Sequence, residues 1–281
     1  MRIFVRVGVS ICTNQSVLTL VKMHVERCPN KGFLFFKEME VTYRQFFDRI
    51  EQVAYGLARF QIALGDKIAI CLPNCPESLF AFFGVLRRGA VSVLLPPDFK
   101  RDTLVECLNR SQSRVLMTTA RLYASMRLPQ GVIEKLFLVG ERGGEGFVFS
   151  SLYHSGPRKN EMAVSPELPA MLNFAGECFT QENLIADADA FVEAVQMMER
   201  DCSLYPLSWL ASHRQIISIL ASIMVGGSVI LSERFSPKGF FNAIERYGVT
   251  AVFGGKAVIE DLFVLEEAEK HDLSSLRFCV L

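Results

Sequence analysis

Short apolar runs alternate with amphipathic segments along most of the chain. In the first half, apolar residues dominate four runs, at 67–72, 90–95, 114–117 and 133–140. Runs of this length without polar alternation are typical of strands that are covered on both faces. The segment 42–57 instead begins with a capping-box sequence and spaces its apolar residues at helical intervals. This alternation predicts an α/β fold with mostly parallel sheets.

The same patterns predict the remaining elements of the chain. Further helices are expected at 15–28, 74–88, 101–110, 182–200, 213–224, 237–247 and 258–269. Further strands are expected at 32–36, 40–42, 147–149, 169–174, 203–205, 228–231, 249–253 and 276–281.

A polar segment divides these elements into two groups. Residues 151–164 include a proline and a glycine, a composition typical of a linker. We therefore predict a first α/β subdomain over 15–150, a linker over 151–165 and a second α/β subdomain over 166–281. The two subdomains are expected to pack together, with the strand at 169–174 central in the second sheet.

One stretch carries the main candidate for ligand chemistry. Residues 169–184 suggest a buried strand, a tight turn at Ala175 and Gly176, and a helix that begins with Thr180 as its N-cap. This geometry binds phosphate in many proteins, because the free N–H groups and the helix dipole point at the anion. Here the turn is very short, and Glu177 places a negative charge where a phosphate would lie.

Composition and charge exclude several function classes. Lys and Arg together number 30, as do Asp and Glu, so neither a nucleic acid nor an acidic membrane is an expected partner. The longest uncharged run, 215–232, is split by two glycines, which favours a buried helix, a turn and a strand over a transmembrane span. The eight cysteines and four histidines lack regular spacing, which favours reduced core thiols over a zinc site.

The compartment is only partly constrained by the sequence. The thiol pattern predicts an intracellular protein. The first 25 residues contain Arg2, Arg6 and Lys22 and no acid, which is weakly similar to a mitochondrial transit peptide. We favour an ordinary leading strand and helix for this segment. Peroxisome, mitochondrion and cytoplasm all stay open.

Several motifs follow one another in an order that is specific to a known family. They lie at 42–43, 64–70, 72–77, 88–91, 206–209, 226–231 and 247–250. In number and order they resemble the AMP-forming acyl-CoA synthetases, which belong to the adenylate-forming superfamily together with coumarate–CoA ligases and firefly luciferase. The resemblance extends over residues 15–281 and implies the two packed α/β subdomains of the N-terminal domain of these enzymes, here incomplete.

The resemblance also implies a chemistry. Members of this family activate a small-molecule carboxylic acid with ATP and Mg²⁺, release pyrophosphate and pass the acyl group to coenzyme A, for example in fatty acid metabolism. This reaction needs a cradle of donors and cations for the phosphates of ATP. The acid itself is left open by the sequence.

The chain departs from the family pattern in three places. The Ser/Thr-Gly-rich loop that ends in Pro-Lys-Gly is reduced to Ala175, Gly176 and Glu177, a loss of about eight to ten residues. Trp209 stands where many members have histidine. The chain also stops before the adenine-binding segment, the ribose-binding aspartate and the C-terminal lid with its catalytic lysine.

Two sets of residues follow as candidate sites. The remnant of the nucleotide-phosphate site comprises Ala175, Gly176, Glu177 and Thr180, and the acyl pocket comprises Trp209, Phe253, Gly254 and Gly255. Simpler roles stay open: Gly176 in a short turn, Trp209 in core packing, and His213 as a surface residue at a helix start.

We therefore expect a truncated acyl-CoA synthetase-like chain that is inactive by itself, with no catalytic or metal-binding residue and no bound cofactor. The alternative is a non-catalytic fragment or pseudoenzyme that binds an acyl ligand or a protein partner. The last predicted strand, 276–281, presents an apolar edge, so self-association or chaperone binding is expected.

Overall fold

The structure, a computed structural model, describes residues 16–140, 146–156, 164–211, 213–255, 262 and 268–280. Most of the helix predicted at 258–269 lies outside the described residues, as does the segment that precedes residue 16.

Eight α-helices lie within the described part of the chain, and their positions follow the predicted amphipathic segments closely. They are α1 (Val17–Arg27), α2 (Tyr43–Arg59), α3 (Pro76–Arg88), α4 (Arg101–Ser111), α5 (Ala120–Met126), α6 (Gln181–Val195), α7 (His213–Val225) and α8 (Pro237–Tyr247). Short 3₁₀ turns occur at Phe149–Leu152, Trp209–Ala211 and Ala268–Lys270.

Thirteen strands in the described ranges form two sheets. They are β1 (Gly32–Phe36), β2 (Met39–Thr42), β3 (Lys67–Ile70), β4 (Val91–Leu94), β5 (Val115–Thr119), β6 (Lys135–Val139), β7 (Phe147–Val148), β8 (Pro169–Leu172), β9 (Cys178–Thr180), β10 (Cys202–Tyr205), β11 (Ser228–Leu231), β12 (Ala251–Phe253) and β13 (Phe278–Val280). The six-stranded sheet has the order β13-β12-β10-β11-β1-β2, and the seven-stranded sheet has the order β7-β6-β5-β3-β4-β8-β9. All neighbouring strands are parallel except β1–β2 and β8–β9. The predicted fold class is confirmed.

The placement of β8 differs from the prediction. We expected this strand at the centre of the second sheet, but it pairs with β4 of the first half, with Met171 beside Ser92. Conversely, β1 pairs with β11 of the second half, with Leu34 beside Val229. An apolar run shows that a strand is covered on both faces but does not identify its neighbours, which explains the error. Each sheet thus draws strands from both sides of the predicted linker, and the domain boundaries stay a prediction.

Two short elements were not predicted. The helix α5 has only seven residues and β9 only three, so neither is long enough to show a hydrophobic period. The helix α6 also ends earlier than predicted, at Val195, because Gln196 takes a left-handed backbone conformation with φ of 52° and caps the helix.

The uncharged run at 215–232 forms a buried helix, a turn and a strand, as predicted. No helix in the described ranges is both long and apolar enough to cross a membrane.

The turn between α7 and β11 places Gly226 in the left-handed region with φ of 76°, which favours glycine. Its carbonyl accepts a hydrogen bond of 2.6 Å from Lys31 Nζ, and the carbonyl of Gly227 accepts one of 2.8 Å from Tyr43 Oη. These bonds attach the N-terminal elements to the six-stranded sheet.

The last strand, β13, is anchored by a buried ion pair. The side chain of Asp201 is fully buried, and its two carboxylate oxygens accept hydrogen bonds of 2.6 and 2.5 Å from Arg277 Nη1. Thr250 Oγ1 and the N–H of Met198 donate to the same carboxylate at 2.8 and 2.7 Å. A buried charge is tolerated only when it is paired and hydrogen-bonded in this way. Arg277 therefore fixes the chain directly before β13.

The side chains of β13 are better covered than the sequence predicted. Phe278 and Val280 are partly buried, and the ring of Phe278 lies 6.2 Å from that of Phe253. The strand pairs with β12 on one side. It is the outermost strand of its sheet within the described residues, so the expected open edge is present there.

We expect Arg277→Ala to lower the free energy of unfolding by about 3 kcal/mol, because it leaves the Asp201 carboxylate buried without its ionic partner. Urea unfolding followed by far-UV circular dichroism measures this loss. Arg246→Ala is the matched control, since Arg246 forms a bidentate pair with the exposed Glu38 and should contribute little. Equal losses in both variants would contradict this assignment of the anchor.

Candidate nucleotide and acyl site

Five residues, 173–177, connect β8 to β9, and we call them the 173–177 turn. The N–H of Asn173 donates to the carbonyl of Glu177 at 3.1 Å, and the N–H of Gly176 donates to the carbonyl of Asn173 at 2.9 Å. The side chain of Asn173 adds two further bonds to Glu177: it accepts from the N–H at 2.9 Å and donates to the carboxylate at 2.6 Å. The turn is therefore closed by its own hydrogen bonds.

This closure determines what the turn can bind. Phosphate-binding loops leave several successive N–H groups free to point at the anion. In the 173–177 turn, the N–H groups of Asn173, Gly176 and Glu177 all donate within the turn. Gly176 has φ of 90°, so it supplies the left-handed residue that the tight connection requires. The simpler role of Gly176 is the one that the geometry displays.

The predicted sequence of strand, glycine turn and helix is wrong in one respect. Between the turn and α6 lies β9, which pairs antiparallel with β8. Thr180 is the N-cap of α6, as predicted, and forms a capping box in which its Oγ1 accepts from Asn183 N–H at 3.1 Å. Glu177 and Gly176 are consequently separated from the helix N-terminus by a strand. The 173–177 turn therefore reverses the chain as the loop of a hairpin.

A cation from α4 lies against the turn. The guanidinium of Arg110 donates to the carbonyl of Phe174, and its Nε is 3.7 Å from the position that a Cβ on Gly176 would take. The ring of Phe174 packs edge-on against Phe99, with centroids 5.4 Å apart. The sequence analysis missed Arg110 because it lies 64 residues from Phe174 and belongs to no recognisable motif. In the structure its guanidinium binds the main chain of the turn at Phe174.

The predicted acyl residues lie at the carboxyl end of the six-stranded sheet. Phe253 ends β12 and stacks on Tyr205, which ends β10, with centroids 5.2 Å apart and planes 13° from parallel. Gly254 follows, partly exposed, and its N–H donates to the carbonyl of Val280 at 3.2 Å. Gly255 is exposed, and a Cβ there would lie 3.8 Å from Leu207. In open parallel sheets, ligands bind beyond this end of the strands.

Trp209 packs into the core next to the same end of the sheet. It is completely buried, its indole Nε1 donates to Ser78 Oγ at 2.8 Å, and its ring packs edge-on against Phe82 at 5.6 Å. The simpler role, core packing, is therefore the one that the contacts display. Its place in an acyl pocket stays a prediction, as do those of Phe253, Gly254 and Gly255.

The two sets of predicted site residues, the phosphate remnant and the acyl pocket, lie at different sheets. The 173–177 turn is at the edge of the seven-stranded sheet, and the acyl residues belong to the six-stranded sheet. His213, at the start of α7, is the residue that approaches the strand after the turn. Its ring stacks on Phe179 of β9 with centroids 4.2 Å apart, and its Nε2 lies 3.5 Å from the carboxylate of Asp187.

His213 was predicted as a surface residue, but it is only 27% exposed. Burial lowers its pKa, and the carboxylates of Asp187 and Glu177 oppose this shift to a smaller extent. These partners could not be predicted from the local sequence, since Asp187 belongs to α6 and Phe179 to β9. His213 therefore joins β9, α6 and α7 beside the turn.

Metal ligation has little support in the described ranges. No three His, Cys, Asp or Glu side chains there converge as a possible metal site. The described cysteines are free thiols, most of them buried.

The comparisons with known proteins agree with this architecture. The family model described as "AMP-binding enzyme" matches residues 21–281. The chain belongs to the AMP-binding enzyme family. Among curated members, a probable 4-coumarate–CoA ligase of Dictyostelium discoideum is 25% identical, over 95% of this chain and 54% of its own length. An acetyl-coenzyme A synthetase of Pyrobaculum arsenaticum is 25% identical, over 85% of this chain and 41% of its own length. This family member thus spans about half the length of the curated relatives it matches.

Solved structures of other proteins share the fold. The anthranilate CoA ligase AuaEII in complex with anthranoyl-AMP matches with a TM-score of 0.86 and 21% identity, covering 96% of this chain and 55% of that one. The N-terminal domain of FACL13 from Mycobacterium tuberculosis matches with a TM-score of 0.84 and 18% identity, covering 94% of this chain and 69% of that one. These likenesses show that the AMP-binding family chain has the N-terminal domain fold of adenylate-forming enzymes.

We expect His213→Phe to make stability less dependent on pH, because phenylalanine keeps the stacking on Phe179 but cannot be protonated. The lowered pKa of His213 contributes stability above a pH of about 6.5, the value of the unfolded chain, and this contribution is lost as the pH falls below it. Urea unfolding at pH 7.5 and 5.5 should show a smaller decline in the variant than in the unmodified chain. Part of the decline should remain, because burial also lowers the pKa of His24. An unchanged pH dependence would contradict this account.

Proposed function

We propose that the chain is a homologue of the AMP-forming acid–CoA ligases in which the 173–177 turn has lost the capacity to hold the phosphates of ATP. Its family and its relatives, a probable 4-coumarate–CoA ligase and an acetyl-coenzyme A synthetase, support an origin in the activation of carboxylic acids with ATP and CoA. The closed turn supports the loss of that activity. The chain by itself is proposed to be a non-catalytic member of the family, a pseudoenzyme.

The chemistry of the turn does not fit a triphosphate. Its three hydrogen-bonded N–H groups are directed to acceptors within the turn, and the carboxylate of Glu177 is exposed beside them. An anion that approached the turn would meet this negative charge, and the guanidinium of Arg110, which lies beside the turn, is already bonded to the carbonyl of Phe174. Removal of one preorganised donor typically lowers kcat by about a hundredfold or more. The absence of several donors is therefore enough to account for a loss of adenylation.

A second candidate function is the binding of an acyl ligand without adenylation. The observation that favours it is the apolar end of the six-stranded sheet, where Phe253 stacks on Tyr205 and Gly255 leaves the space beside Leu207 free of a side chain. A small-molecule carboxylic acid is the ligand that the family relationship supports. ATP, Mg²⁺ and CoA are cofactors of the family, and we do not propose that this chain binds them. Self-association or chaperone binding through the edge of β13 stays a prediction that light scattering would test.

We expect no binding of Mg·ATP and no exchange of label between pyrophosphate and ATP, with either fatty or aromatic acids present. Equilibrium dialysis and the exchange assay measure these two quantities, with heat-denatured protein as the background. Exchange above this background in the unmodified chain would contradict the proposal.

Two variants separate the effect of the Glu177 charge on Mg·ATP binding from the effect of the closed turn. Glu177→Gln removes the charge but leaves an amide oxygen that can accept from Asn173, so the turn should stay closed and still fail to bind Mg·ATP. Replacement of residues 174–177 by a longer Ser/Thr-Gly-rich loop that ends in Pro-Lys-Gly should produce measurable Mg·ATP binding. Binding by Glu177→Gln equal to that of the loop variant would show that charge, rather than closure, is decisive.

A further inference from the structure

The side chain of Asn74 makes an unusual set of contacts between the two sheets. Asn74 follows β3 in the seven-stranded sheet and is 3% exposed. Its Nδ2 donates to the carbonyls of Tyr205 and Leu207 at 3.1 and 2.7 Å. Its Oδ1 accepts from the N–H of Trp209 at 3.1 Å. One amide group thereby contacts three main-chain groups in the segment 205–209, which begins at the last residue of β10 in the other sheet.

The chemistry of this position selects an amide. The carbonyl of Leu207 and the N–H of Trp209 are bonded to this one buried side chain, and the carbonyl of Tyr205 accepts from it in addition to the N–H of Ser232 at 3.1 Å. Asparagine offers two donors and an acceptor in one plane. A leucine would remove the bonds to the Leu207 carbonyl and the Trp209 N–H, whereas the Tyr205 carbonyl would keep its bond from Ser232. An aspartate would place a charge against the two carbonyls. Packing alone would not require this residue type, because burial of a polar group is unfavourable unless its bonds are formed.

A second contact binds the indole ring of Trp209, the last residue of the same segment. Ser78, one turn into α3, accepts from the indole Nε1 of Trp209 at 2.8 Å and donates to the carbonyl of Cys75 at 2.6 Å. The two residues bind different parts of the segment: Asn74 binds its main chain, and Ser78 binds the indole ring of Trp209.

The segment 205–209 carries side chains that form the apolar end of the six-stranded sheet. The ring of Tyr205 stacks on Phe253, and the side chain of Leu207 lies next to Gly255. The main chain at positions 205 and 207 is where Asn74 binds. The Asn74 amide thus binds the main chain from which both side chains project, while Tyr205 is also held by its pairing with Leu231 and by the 2.8 Å contact of its hydroxyl with Ser218 Oγ.

We propose that Asn74 is a positioning residue that fixes the segment 205–209, and with it Tyr205 and Leu207, at the acyl-binding end of the six-stranded sheet. The reference to acyl binding rests on the proposed function. The fixing of the segment is a separate claim, and it can be measured without any ligand.

Trp209 is the only tryptophan in the chain, so its fluorescence reports on the segment directly. We expect acrylamide to quench Trp209 weakly in the unmodified chain, because the ring is completely buried. In Asn74→Asp at pH 8, the carboxylate repels the two carbonyls, and the quenching constant should rise several-fold. At pH 5.5 the quenching should fall back toward the unmodified value, because burial raises the pKa of a carboxyl group and its protonated form can again donate a hydrogen bond. A purely space-filling role for Asn74 would not produce this pH-dependent rescue.

The matched control is Ser78→Ala, which removes the acceptor of the indole but leaves the main chain held by Asn74. Its quenching should be independent of pH over this range and far below that of Asn74→Asp at pH 8. Equal shielding of Trp209 in Asn74→Asp at both pH values, with native circular dichroism, would overturn the proposal. If Asn74→Asp does not fold, Asn74→Ala decides in the same way: a native fold with accessible Trp209 supports the proposal, and a native fold with shielded Trp209 overturns it.

Titration with parinaric acid, a fluorescent fatty acid, and with benzoate as a competitor then tests the link to acyl binding. Weaker binding of these acids by folded Asn74→Ala than by Ser78→Ala supports positioning of the acyl end. Equal binding by the two variants overturns that part. If neither acid binds the unmodified chain, the proposed acyl function fails for these acids, while the quenching result still decides whether Asn74 fixes the segment.

Discussion

The hydrogen bonds between Asn173 and Glu177 determine the form of the chain where β8 ends. Main-chain and side-chain bonds together link these two residues, so five residues are enough to reverse the chain. The reversal lets β9 pair antiparallel with β8 as the edge strand of the seven-stranded sheet. It also places Thr180 at the start of α6, with a strand between the helix N-terminus and the turn. Three of the five N–H groups of the turn, those of Asn173, Gly176 and Glu177, donate to acceptors within the turn.

The contacts that hold the two sheets together do not involve the turn alone. Both sheets are built from apolar strands, and the buried amide of Asn74, which follows β3 of the seven-stranded sheet, bonds to the main chain at the end of β10 in the six-stranded sheet. The turn itself lies at a sheet edge and contributes its own bonds and the contacts of Phe174 with Arg110, Cys107 and Phe99. The family fold therefore does not by itself imply the family's nucleotide chemistry, since function resides in sites carried by a fold rather than in the fold itself.

Local sequence patterns predicted where the helices and strands lie better than they predicted which strands pair with each other. Capping boxes and hydrophobic periods located most helices, including the cap at Thr180, because these signals act within a few residues. The neighbours of β8 were predicted wrongly, because an apolar strand fits any buried position of a parallel sheet. The strand β9 was missed because three residues show no period. The fold class and the family could nevertheless be predicted, since the number and order of short motifs are specific even when each motif is weak.

The candidate site was harder to predict than the fold. The shortened turn could be recognised, but its closure by Asn173 could not, because that requires the orientation of one side chain. Arg110, His213 and Asn74 acquire their importance from partners 26 to 135 residues away in the sequence, and no motif brings these partners together. Long-range contacts of this kind depend on the sheet order, which the sequence alone did not provide.

Amide hydrogen exchange at Gly176 and Glu177, measured by NMR with and without Mg·ATP, tests the central claim most directly. A turn closed by its own hydrogen bonds should protect both amides from exchange in the free protein, and saturating Mg·ATP should not change their rates. Rapid exchange of both amides in the free protein, followed by protection when Mg·ATP is added, would contradict the account. That result would show an open turn whose donors are available to a phosphate.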